Sequence, residues 1–122
     1  MTGWSFLMLF ASWMPSAGVV PDNIRAAVEY VESNGNPCAV SSSGCIGLMQ
    51  VCPRWSLVSR DQLFDQDINR FEGVRILADN LYAAHGNWRR ALAGYRCGGR
   101  GLRGKCGSGY ARRVLALARK MR

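Results

Sequence analysis

With 122 residues, 48% of them hydrophobic, the chain has material for one domain around one modest core, and a second domain is excluded. Sixteen Lys and Arg against eight Asp and Glu give a formal net charge of +8, which predicts attraction to polyanions such as nucleic acid, anionic lipid headgroups or an acidic cell wall. The cations concentrate from Arg89 to Arg122 without an RNA- or DNA-binding signature, so no specific nucleic acid is expected as a partner.

The first twenty residues, MTGWSFLMLFASWMPSAGVV, carry no charge. The apolar run from Trp4 to Met14, followed by Pro15, Ser16 and Ala17, has the length of a signal-peptide hydrophobic region but lacks a basic start and a clean cleavage site. Residues 1–20 are therefore expected to be a leader, either a signal peptide or a membrane anchor associating through residues 4–20, and residues 21–122 the folded domain. A segment packed against that domain is the plainer alternative.

From Pro21 onward the pattern is helical, with no period-2 strand and no internal repeat, so the fold class is mainly α. Asp22 is placed to cap a first helix with Ile24, Ala27, Val28 and Val31 on one face, ending near Asn34-Gly35. On the helical wheel Glu32 falls at the border of this stripe, while Glu29 lies round toward solvent. Partial burial and the negative end of the helix dipole both raise the pKa of a carboxyl at position 32, which suits a general acid.

Five cysteines in so short a chain, none in a Cys-x-x-Cys pair, favour disulfides over a metal site. Cys38, Cys45 and Cys52 recur every seven residues, Cys97 and Cys106 flank a glycine-rich loop that a bridge would close, and the odd count leaves at least one thiol over. Between these clusters, DINRFEGVRILADNLYAAHG predicts a core helix with Ile68, Phe71, Val74, Leu77, Ala78 and Leu81 inward and His85-Gly86 as its stop. Asn87 is expected to cap a helix presenting Trp88, Ala91, Leu92 and Tyr95, and YARRVLALARKM to close the domain through Tyr110, Val114, Leu117 and Met121. His85 has no partners for a catalytic or metal role and reads as a helix-end residue.

A lone Glu at a helix end is ordinarily a solvated surface charge. Here Glu32-Ser33-x-x-Asn36-Pro37, Ala39-x-Ser41, Gly44 and Gly47-Leu48-Met49-Gln50-x-x-Pro53 resemble the signature of soluble lytic transglycosylases, the SLT family related to goose-type lysozyme. Asp65-x-x-x-Asn69, Gly73-x-x-x-Leu77 and Ala91-Leu92-Ala93-x-Tyr95 follow in the family's order, so the resemblance runs from about residue 24 to 119.

The resemblance implies a single lysozyme-like domain that cleaves the β-1,4 bond between N-acetylmuramic acid and N-acetylglucosamine in peptidoglycan, forming a 1,6-anhydro sugar. Glu32 would be the one acid and base, assisted by the substrate's N-acetyl group, in place of the usual carboxylate pair. It implies no metal or organic cofactor. Ser41 and Gln50 would line the cleft, Gln50 as both donor and acceptor. Met49 would wall the acid or pack the core, Tyr95 would orient the acid or fill the core, and Tyr110 would touch sugar or core.

Arg96 stands where the family usually has Asn, and would meet a stem-peptide or lactyl carboxylate or point to solvent. Asp61, Asp65, Asp67, Glu72 and Asp79 read as capping and surface residues. Asp61 or Asp65 across the cleft would permit a hydrolytic lysozyme mechanism instead, and loss of catalysis would leave an inactive peptidoglycan-binding relative. An exported, periplasmic or membrane-associated protein is expected, and the small size suits a phage-encoded or virion-associated enzyme or a secretion-system accessory.

Overall fold

The computed structural model describes residues 20–122, so the expected leader lies, but for Val20, outside the described residues. Five helices follow: α1 (Asp22–Ser33), α2 (Gln66–Ala83), α3 (Trp88–Cys97), the single turn α4 (Gly99–Leu102) and α5 (Ser108–Lys120). Between α1 and α2 the chain makes two short 3₁₀ turns, Pro53–Trp55 and Gln62–Phe64, and isolated bridges pair Ile46 with Val40 and Val51; no strand forms among the described residues. The mainly α expectation holds. None of the described helices is long and apolar enough to cross a membrane.

Pro21, and not Asp22, takes the N-cap position of α1: its extended backbone turns its carbonyl to the N–H groups of Ile24 and Arg25. Asp22 becomes the first helical residue, where its charge complements the helix dipole. At the other end Asn34 adopts the left-handed conformation (φ 54°), which Asn tolerates better than most residues, and α1 stops there as predicted. Asp65 caps α2 by accepting from the N–H groups of Asp67 and Ile68, and Asn87 caps α3 by accepting from Arg90 N–H.

α3 lies at the centre, touching α2, α4 and α5, while α5 also packs on α1. The pair α1 and α5 runs antiparallel: Asn23 at the start of α1 donates to Ala118 O near the end of α5, and Tyr110 at the start of α5 reaches Glu32 at the end of α1. The core gathers Ala27, Val28, Ile46, Leu77, Leu92 and Val114. Gly101 permits α4 to lie directly on α3, because a Cβ there would overlap the Ala93 carbonyl group.

Four inward-or-outward expectations fail. Phe71 is 67% exposed, whereas Asn69, Glu72 and Gly73 are buried, so the inward face of α2 is rotated away from the purely apolar stripe. Glu72 is buried rather than solvated because Arg75 binds its Oε2 through Nη2 (2.7 Å) and Nε (3.1 Å). Glu29 is also buried: Arg25 and Arg70 both pair with its carboxylate, and paired charges tolerate burial that lone ones do not. Met121, assigned to the inner face of α5, is exposed at the chain's end.

Candidate active site

The segment between α1 and α2 is fastened from beneath by polar side chains of the motif. Asn69 is fully buried; its Oδ1 accepts from Met49 N–H (2.9 Å), and its Nδ2 donates to Ile46 O (2.7 Å) and Leu63 O (2.9 Å). Ser33 Oγ sits 2.7 Å from Leu48 O and 3.0 Å from Glu29 O, tying the residue after Glu32 to the same segment. Gly73 lets Met49 lie against α2, since a Cβ at that position would come within 2.7 Å of the Met49 Cβ. A disulfide between Cys45 and Cys52 closes the segment.

These fastenings shape one wall of a cleft of about 920 Å³ into which Glu32 faces. Its side chain is 8% exposed. Tyr110 donates its hydroxyl to Glu32 Oε2 at 2.9 Å, and the Arg96 guanidinium lies 3.7 Å from Oε1 and over the Tyr110 ring, 5.7 Å from its centroid. Burial raises the pKa of Glu32 above the ordinary carboxylate value; the Tyr110 hydrogen bond and the Arg96 charge pull it down without cancelling the rise. The phenols of Tyr95 and Tyr110 are both pushed up, by burial first and by the Glu32 charge second, so Tyr110 remains a proton-bearing donor.

Of the residues predicted for the site, Glu32, Ser41, Gln50, Tyr95 and Arg96 line the cleft. Met49 is not among them; it is fully buried in the hydrophobic core. Tyr95 donates to Met49 O at 2.6 Å, and it is Tyr110 that holds the acid. Gln50, with a left-handed backbone (φ 51°), spends its Nε2 on Ala39 O and Gly47 O, so toward a ligand it offers only its carbonyl oxygen, an acceptor where donor and acceptor were expected. Ser41 accepts from Cys45 N–H while lining the cleft. Arg96 turns to the acid instead of to open solvent, although it stays 58% exposed.

The cleft wall also contains Trp55, Arg54, Arg75 and Asp79, which no sequence motif singled out. A tryptophan two residues past the motif's Pro53, among polar neighbours, was the available signal. Cys97 and Cys106 form the second disulfide, closing the loop after α3, and Cys38 is the free, exposed thiol. Among the described residues, no three His, Cys, Asp or Glu side chains gather as a metal site requires.

Compared with known families, residues 8–113 match the model described as the transglycosylase SLT domain, so the match begins inside the segment expected to be the leader. No solved structure matches the chain.

Proposed function

Because the chain belongs to the transglycosylase SLT domain family, we propose that it is a peptidoglycan lytic transglycosylase cutting the β-1,4 bond between N-acetylmuramic acid and N-acetylglucosamine, with Glu32 as sole acid and base. The observation that carries this reading is the Glu32 carboxyl itself, largely buried at the cleft with a raised pKa and a hydroxyl fixing one oxygen. A carboxyl whose pKa is raised keeps its proton to higher pH than an ordinary one, which suits it to protonating a leaving oxygen.

In the first step Glu32 gives its proton to the glycosidic oxygen as the bond to the muramoyl anomeric carbon breaks, releasing the N-acetylglucosamine hydroxyl. The substrate's own N-acetyl oxygen supports the anomeric carbon. The muramoyl C6 hydroxyl oxygen then bonds to that carbon and its proton returns to Glu32, closing the 1,6-anhydro ring without water. Between the steps Glu32 is an anion, and the Tyr110 hydroxyl and the Arg96 guanidinium are the groups beside it that favour that form. The substrate lies outside the cytoplasmic membrane, and two disulfides suit an oxidising compartment, so we read the protein as exported or carried to the wall from outside.

One observation favours a hydrolytic lysozyme as the second reading. Asp79 also lines the cleft, with a side chain 57% exposed and one oxygen held by Arg75 at 3.2 Å. Mass spectrometry of soluble products from isolated peptidoglycan, with Glu32→Gln as control, separates the two. Anhydro-muropeptides absent from the control are the expected result. Reducing-end products that vanish with Asp79→Asn would replace the lyase by a hydrolase.

A further inference from the structure

Arg54, Arg75 and Arg96 line the cleft, and of these Arg96 alone comes within ion-pair distance of Glu32. Arg75 has its donors engaged by Glu72, Asp79 and the Trp55 carbonyl oxygen. Those of Arg96 are not. At 3.7 Å its contact with Glu32 Oε1 is too long for a hydrogen bond, and its other contact among the described residues is the Tyr110 ring. With the side chain 58% exposed, its N–H groups are open to whatever enters the cleft.

The placement of this cation is fixed from two sides. Arg96 stands in the last turn of α3, whose end is held by the bond from Gly98 N–H to Gly94 O (2.7 Å) and by the disulfide from Cys97 to Cys106. The Tyr110 ring offers its negative face to the guanidinium and takes up none of its N–H groups. When Glu32 carries the proton it is about to give, Arg96 has no anion beside it, because the other carboxylate of the cleft wall, Asp79, is paired with Arg75. A planar fork of charged donors left in this state fits an incoming carboxylate.

We propose that Arg96 is a specificity residue that pairs with the free lactyl carboxylate of the muramoyl sugar at Glu32, so that the preferred substrate is a glycan strand already stripped of its stem peptides. The lactyl arm hangs from the same ring whose anomeric carbon is attacked, so its carboxyl lies within one sugar's width of the scissile bond and of the guanidinium beside the acid. In a strand that keeps its peptides this carboxyl is a neutral amide, and the first free carboxylate of the peptide lies more than a residue further out. The reaction that must supply the substrate is therefore hydrolysis of that amide, in which water adds across the bond to leave the lactyl carboxylate on the sugar and a protonated amine on the released peptide. The assignment rests on the glycan-cleaving reading above, to which it adds the class of strand that is cut.

The test compares kcat/KM on three strand preparations: peptide-bearing, peptide-stripped, and peptide-stripped with the lactyl carboxyls converted to methylamides. Ratios between substrates are taken within one protein, so any effect of Arg96 on the acid itself cancels. Wild-type protein is expected to favour the free-carboxylate strands about tenfold over both others. Arg96→Asn is expected to bring the three within about twofold, and Arg96→Lys, which keeps the charge without the fork, to give an intermediate ratio. Equal rates on free and methylamidated strands, a preference that persists in Arg96→Asn, or fastest cleavage of peptide-bearing strands overturns the assignment. The lyase reading fails separately, through binding of the same strands to the Glu32→Gln protein, which does not consume them. No anhydro products from wild-type protein, with free-carboxylate strands still bound about tenfold tighter until Arg96→Asn is added, refutes the lyase and keeps the role of Arg96. Anhydro products formed without preference do the reverse, and a protein that binds none of the strands loses both.

Discussion

At Glu32, burial works against the two groups that favour the charged form, and burial prevails. The folded state therefore holds the proton more tightly than the unfolded chain, so this group's stabilisation is present below the ordinary value of 4.5 and is lost as pH rises through the folded pKa. Glu32→Gln is accordingly expected to raise the urea midpoint at neutral pH, with the difference fading as pH falls below 4.5, while turnover drops about 10²- to 10⁴-fold. Removing either group that lowers the pKa moves the alkaline limb of the kcat/KM profile to higher pH. Tyr110→Phe is expected to move it further than Arg96→Asn, since the hydrogen bond acts more strongly than the charge; pH-rate profiles of the two variants check the order. Glu32 was legible in the sequence because a helical wheel places it beside its own helix's apolar stripe. Its partner was not: Tyr110 stands 78 residues away, and only the packing of α5 on α1 selects it over Tyr95.

Helices α2 and α3 owe their starts to local chemistry, Asp65 and Asn87 each accepting from N–H groups two or three residues on, and such signals survive in any tertiary setting. The inward face of α2 is a different matter. Its buried Asn69 has no helical reason to turn inward; it does so because Met49, Ile46 and Leu63 offer backbone groups there. Asn69→Ala leaves those groups unpaired in the core and is expected to cost about 3 kcal/mol or more, read by urea unfolding, with activity falling as the Met49–Gln50 segment loosens. The Cys97–Cys106 bridge secures the end of α3 immediately after Arg96. Replacing both cysteines with Ala is expected to lower stability by about 2–3 kcal/mol in the same assay, the range for a loop of this size.

Over the whole molecule, charge is divided along the chain: every Asp and Glu lies at or before Asp79, while cations continue to Arg122 and populate α3, α4 and α5. Most of these Arg and Lys side chains are exposed. Retention on anionic peptidoglycan sacculi is expected to weaken steeply between low salt and about 0.5 M NaCl, where the screening length falls to a few Å, whereas retention on neutral chitin changes little; pull-down across a salt series measures both. The family, the helical order, the Asn87 cap and the carboxyl at the end of the first helix were set by the sequence itself, because capping and amphipathic periodicity act over three or four residues. Only the tertiary structure decided which tyrosine holds the acid, that Glu29 and Glu72 are buried with arginine partners, that Gln50 spends its donors on the backbone, and that Cys45 pairs with Cys52. Each of those outcomes depends on which groups packing brings within about 3–4 Å, a distance that composition and spacing do not encode.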